Sequence, residues 1–111
     1  MQEHEMILSW EAIYDITDIA DYIEVYFGVE RSDRFQKDIQ EQMLSLKTVG
    51  GILGRTHIKY RSCSIYKKPF SPSVIFYIVK DPEKEVHILR VLREERDWET
   101  ILSEEQEYTY P

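Results

Sequence analysis

The sequence predicts an α+β fold, with an N-terminal strand and two amphipathic helices packed on one face of a small antiparallel sheet. Near the N-terminus, apolar residues recur at spacings of three and four through two consecutive segments, as on one face of a helix. A single glycine, Gly28, separates those segments. Beyond Gly50, Gly51 and Gly54 the pattern changes to β-branched and aromatic runs divided by proline and aspartate turns.

The opening Met6-Ile7-Leu8-Ser9-Trp10 is short and apolar, and reads as a first strand. Ser9 can cap the helix that follows, with Glu11 in its electropositive first turn. Ile13, Ile16, Ala20, Ile23 and Phe27 form the expected buried stripe, with Asp15, Asp18 and Asp21 on the solvated side. Gly28 supplies the stop. A second helix is expected from Glu30 to Lys47, with Phe35, Ile39, Met43 (or Gln42) and Leu46 buried. So short a connection makes the pair an antiparallel hairpin. The three later glycines mark a flexible loop.

Tyr60 to Lys68 alternates unevenly and is compatible with one strand or two short ones. Pro69 and Pro72 argue for an edge or a bend there. Val74 to Val79 is a continuous β-branched and aromatic run, expected at the centre of the sheet. Asp81-Pro82-Glu83-Lys84 is turn chemistry, so Val86 to Leu92 should pair antiparallel with the run before it. Asp97 caps a short helix to Leu102. Residues 1–103 are expected to be one domain, and residues 104–111 an acidic, frayed tail. With both helices on one face, the opposite face is expected to be at least partly open and to carry function.

No apolar run approaches the roughly 20 residues of a membrane span. The acidic start, Met1 to Glu5, does not resemble a secretory leader, and Cys63 is the lone cysteine. A cytoplasmic protein is the expectation. The net charge of −7 argues against nucleic acid, but it is unevenly spread. Residues 1–54 carry 4 basic and 11 acidic side chains, residues 55–96 carry 10 and 5, and residues 97–111 carry none and 5. A basic middle between acidic flanks is compatible with a charged partner, and equally with chance clustering in a short chain. There is no zinc-ligand spacing, EF-hand, phosphate loop or nucleophile elbow, so neither metal nor cofactor is expected.

Several phrases, in their order, resemble the RelE/ParE superfamily of toxins. Trp10-Glu11-Ala12-x-x-Asp15-Ile16-x-x-Ile19-x-x-Tyr22-Ile23 is similar to that family's first helix, and Phe35, Ile39 and Leu46 fit its second. Tyr66-Lys67-Lys68-Pro69-Phe70, Ile75-Phe76-Tyr77, Val86 to Leu92 and Arg96-Asp97-Trp98 follow in the family's order. The likeness implies the toxin of a type II toxin–antitoxin pair, arresting growth until a cognate antitoxin binds. In many members arrest comes from cutting mRNA on the ribosome, and in others from poisoning DNA gyrase. A toxin fold weakened to a mere antitoxin-binding module is the third reading.

Metal-free RNA cleavage must remove one proton, donate another and stabilise charge on the phosphate. Lys67 falls where the family's nucleases carry a strand lysine, and Arg93 where many relatives place a histidine. Arg96 follows the last strand, where a basic residue is common. These three are the catalytic candidates, with Arg61, Lys68 and Arg90 as phosphate-binding candidates. Lys67, Arg90, Arg93 and Arg96 are expected to converge on the open sheet face, with Arg61 and Lys68 adding positive charge near Lys67. The plain alternatives are an exposed strand lysine for Lys67, a salt bridge to Glu94 or Glu99 for Arg96, and a carboxylate-held, half-buried Arg90. Arginine at 93 keeps the charge but cannot shuttle protons at neutral pH. Val74 and Glu94 stand where the nucleases are basic, which weakens the nuclease reading. His57 and His87 titrate near neutrality but read more simply as ordinary surface or core residues. Tyr108 and Tyr110 lie in the acidic tail, which could fold over the basic face and screen it.

Overall fold

In the computed structural model, which describes residues 4–49, 54–105 and 107–111, Ser9 decides where the first strand stops. Strand β1 (Glu5–Leu8) ends one residue before it, and helix α1 (Trp10–Phe27) begins one residue after. The Ser9 hydroxyl accepts a 2.9 Å hydrogen bond from the Ala12 N–H, satisfying a donor that the first turn leaves free. Trp10 therefore opens the helix, not the strand. Gly28, at φ 98°, joins α1 to α2 (Val29–Val49). The remaining elements are β2 (Arg55–Tyr60), β3 (Cys63–Phe70), β4 (Ser73–Lys80), β5 (Glu85–Arg93) and α3 (Trp98–Glu104). The loop expected at Gly50 and Gly51 lies outside the described residues. Among those residues, no helix is long and apolar enough to cross a membrane.

The strands form one sheet in the order β1-β5-β4-β3-β2. β2 to β5 are an antiparallel meander, but β1 lies parallel to β5, with Met6 opposite Val86 and Leu8 opposite Ile88. The sheet is thus mixed where an antiparallel one was expected. The cause is a hairpin at Arg61-Ser62, which divides the Tyr60–Lys68 stretch into two strands. Each added hairpin reverses the direction of every later strand relative to β1. Both turn residues have positive φ, 49° and 72°, the tight two-residue geometry that matches sheet twist.

One core lies under the helices. Phe35, Ile39, Met43 and Leu46 of α2 are buried there, as their spacing predicts, with Ile75, Tyr77, Val86, Ile88 and Val91 from the sheet. The α1 stripe is rotated from its expected setting. Ala12, Ile19 and Ala20 are buried, with Ile16 and Ile23 packed beside them, while Phe27 is 54% exposed.

The opposite face is not open. Ile58, Tyr60, Ile65, Phe76, Ile78, Leu89 and Leu92 form a second core there, roofed by Leu102 of α3 and by Tyr108. A bulge helps to build it. Phe76 faces Arg90 while Tyr77 faces Ile88, so Leu89 is an extra residue in β5. Ile88 consequently points to the helices, and Leu89 and Leu92 to the second core, breaking the simple alternation of 88, 90 and 92.

Candidate functional site

β5 runs on past the end of β1, so its free edge needs other partners. Ser9 supplies two contacts: its N–H donates to the Ile88 carbonyl at 3.0 Å and its hydroxyl to the Leu89 carbonyl at 2.8 Å. Asp15 supplies the rest. Its Oδ2 accepts from the Val91 N–H at 3.0 Å and from Arg90 Nε at 2.7 Å, and its Oδ1 accepts from Arg90 Nη2 at 2.9 Å. Asp15 is thus a half-buried anchor, not a member of the solvated side. Burial pushes its carboxyl above the usual carboxylate range, against the opposing pull of the Arg90 hydrogen bonds. Arg90 is held protonated chiefly by those same bonds. Its guanidinium is engaged with Asp15, the carboxylate-held arrangement that was the plain alternative to phosphate binding.

Of the other cations, Arg93 and Arg96 lie near this pair and the rest lie elsewhere. Lys67 lies on the α3 side of the sheet, with Nζ 5.0 Å from the centre of the Trp98 ring. The Arg93 guanidinium sits 4.3 Å over Tyr22 of α1, and its Nε is 2.7 Å from Glu95. Exposed Arg96 shares a shallow cleft of about 190 Å³ with Arg93, Asp15, Asp18 and Tyr22. Arg61 is in the β2–β3 turn, 3.3 Å from Glu107. Lys68 lies on the helical side of the sheet, opposite Ile75. The expected convergence is therefore partial: Arg90, Arg93 and Arg96 gather round Asp15 beside α1, while Lys67 lies on the α3 side and Lys68 and Arg61 lie elsewhere on the sheet. Val74 packs into the second core and Glu94 is exposed. His57 lies 3.4 Å from Glu99, and His87 is buried between Glu85 and Tyr110 at 2.9 Å each. Among the described residues, no group of three or more His, Cys, Asp or Glu side chains is placed to hold a metal ion.

The C-terminal residues, expected to fray, dock as a strap. The Tyr108 N–H donates to the Tyr60 hydroxyl at 3.0 Å, and the Trp10 N–H donates to the Thr109 carbonyl at 2.8 Å. The Glu11 carboxylate accepts from the Thr109 N–H at 3.0 Å and from its hydroxyl at 2.9 Å. Burial pushes the Glu11 carboxyl up, but the Thr109 backbone bond, with the Glu11 N–H and the Thr109 hydroxyl, outweighs it and holds the pKa below the ordinary 4.5. A depressed folded pKa contributes stability that is present above the unfolded value and lost as pH falls through the folded one. The strap is therefore expected to loosen on acidification below about pH 4.5. Amide exchange at Thr109, followed down a pH series and corrected for intrinsic rates, should accelerate there. Unchanged protection would show that Glu11 does not clasp the strap.

A surface absent from the sequence reading runs along α1. Trp10, Tyr14, Tyr22 and Tyr26 are all exposed and form two pairs on a stripe that winds roughly 160° round the helix. Trp10 stacks on Tyr14 at 5.8 Å, and Tyr22 meets Tyr26 at 4.8 Å. The stripe borders a groove of about 400 Å³ lined by Tyr22, Phe27, Phe70, Arg31, Arg34 and Arg93, among others. Exposed aromatics in such a row mark an interaction surface. The spacing of four between Trp10 and Tyr14, and again between Tyr22 and Tyr26, was the available signal.

Comparison with known proteins agrees with this architecture. No curated protein matches the chain in sequence. Among solved structures, the chromosomal ParDE toxin–antitoxin system from P. aeruginosa is similar, with a TM-score of 0.70 and 24% identity over 84% of this chain and 98% of that one. The toxin–antitoxin complex RelBE2 from Mycobacterium tuberculosis is similar at a TM-score of 0.56 and 12% identity, over 82% of this chain and 98% of that one. At those identities the likeness is one of fold. The model of the ParE toxin of the type II toxin–antitoxin system, parDE, matches residues 6–98. That match spans the hairpin, the whole sheet and the start of α3, and on it this chain belongs to the ParE toxin family of type II toxin–antitoxin systems.

Proposed function

We propose that this chain is a growth-arresting toxin that acts by binding, with DNA gyrase as its target. The observation that carries the reading is that Lys67 stands apart from the Arg90, Arg93 and Arg96 group, in which Arg90 and Arg93 are already held by carboxylates. Metal-free RNA cleavage needs a base, an acid and charge stabilisation around one phosphate. Here Arg90 is engaged by Asp15, Arg93 by Glu95 and Tyr22, and Arg61 by Glu107 at another end of the sheet. Lys67 stands over the Trp98 ring on the α3 side of the sheet. A protein that blocks its target by contact needs no such convergence.

An antitoxin would silence it through the α1 stripe and the neighbouring groove. The aromatics offer anchors for the apolar side of a helix, and Arg31, Arg34 and Arg93 suit acidic residues flanking those anchors. The similar ParDE and RelBE2 structures are themselves toxin–antitoxin systems, which supports a partner of this kind.

The test is induction in cells, with parallel mapping of mRNA 5′ ends and assay of gyrase supercoiling. Lost supercoiling, trapped gyrase–DNA complexes and intact mRNA are the expected result. Codon-phased mRNA cuts with normal supercoiling would replace this reading with the nuclease. Neither effect would reduce the chain to an antitoxin-binding module.

A further inference from the structure

The helical hairpin lies over β5 and β1, at one side of the sheet, while β2 and β3 form the other side. The registers Arg55↔Tyr66 and Lys59↔Ser64 put these four side chains on a common face, and alternation along β3 adds Lys68. Lys68 is opposite Ile75, a member of the helix-side core, so this face is the helical one. Arg55 and Lys59 are exposed, and Ser64, Tyr66 and Lys68 half-exposed. The Arg55 guanidinium rests 5.9 Å from the centre of the Tyr66 ring, which stacks in turn on Tyr77 at 5.7 Å.

The chain has 21 acidic side chains, yet among the described residues none forms an ion pair with Arg55, Lys59 or Lys68. Arg61, Arg90 and Arg93 each have a carboxylate partner. Protection of an exposed sheet edge accounts for charge on β2, the outermost strand. It does not account for Lys68, which sits on the inner strand β3.

We propose that this patch binds the phosphate backbone of a single nucleic-acid strand. Three cations without counter-charges form a local positive field on an otherwise acidic protein. Tyr66 holds one guanidinium in place, so less freedom is lost when it meets a phosphate. Two adjacent β-strands, about 4.8 Å apart, make a narrow strip suited to one backbone. An acidic peptide would match the charge as well, so competition with polyglutamate distinguishes the two ligands. The proposal goes beyond gyrase binding and stands whether or not gyrase is the target.

The experiment is fluorescence anisotropy of the full chain with a short labelled single-stranded oligonucleotide across a salt series. Three neutralised phosphates predict a slope of log K against log salt of about −2. Arg55→Gln, Lys59→Gln and Lys68→Gln should each weaken binding and flatten the slope by about 0.7. Circular dichroism would check that each variant is folded, and Arg61→Gln, outside the patch, should leave the slope unchanged. Three outcomes would overturn the proposal: no saturable binding, patch variants with the parental slope, or tighter binding of the corresponding duplex. Displacement of the oligonucleotide by a polyglutamate peptide at lower concentration would also overturn it, in favour of a peptide ligand.

Discussion

Replacing Asp15 with alanine is expected to cost about 3 kcal/mol of stability, the lower end for breaking a desolvated ion pair, because both side chains keep some exposure. The substitution leaves Arg90 half-buried without its bidentate partner and leaves the Val91 N–H without an acceptor. For a domain of this size, that loss lowers Tm by roughly 10–15 °C in a thermal melt. Asp15→Asn, which keeps an acceptor for Val91, should lose less. Pairing Asp15→Leu with Arg90→Met should recover much of the loss, because both desolvated charges are removed together. If Asp15→Ala costs under about 1 kcal/mol, the pair behaves as an ordinary surface ion pair and does not anchor α1 to β5.

Tyr108→Ala should be comparably damaging, at about 3–4 kcal/mol, since it removes an aromatic ring from a packed core. The ring is 4% exposed and meets Tyr60 edge-on at 4.8 Å. Tyr108→Phe should change stability by only about 0.5 kcal/mol, because the buried hydroxyl has no hydrogen-bond partner among the described residues. Chemical denaturation of both variants separates ring from hydroxyl. Faster amide exchange at Trp10 in the alanine variant would show that the strap has lifted from α1, since that N–H donates to Thr109. A mild effect of Tyr108→Ala would mean that the second core closes without the strap.

These two sites mark where the sequence was readable and where it was not. The α2 stripe was legible because its apolar residues sit on one side among charged ones. In α1, apolar residues occur almost all round the helix, so spacing alone allowed two settings. The Ser9 contacts with Leu89 and Ala12, invisible locally, select Ala12 and Ile19 over Ile13 and Phe27. The turn at Arg61-Ser62 carries neither glycine nor asparagine, so nothing announced the extra hairpin. Asp15 looked solvated because its partners lie 75 and 76 residues away in sequence. The tail looked disordered because its composition is acidic, although one tyrosine finds a seat on the far side of the sheet. Lys67 and Lys68 are neighbours in sequence, but strand alternation sends them to opposite faces and so separates two predicted site residues.

The parallel seat of β1 beside β5 also bears on how the protein is made. β1 is made long before the β5 with which it pairs, and Ser9 bonds to Leu89 at a sequence separation of 80. Such high contact order slows folding, and here it postpones completion of the sheet until β5 has left the exit tunnel. A nascent copy therefore cannot fix α1 against the sheet until β5 has emerged, and presents the finished surface only after that point.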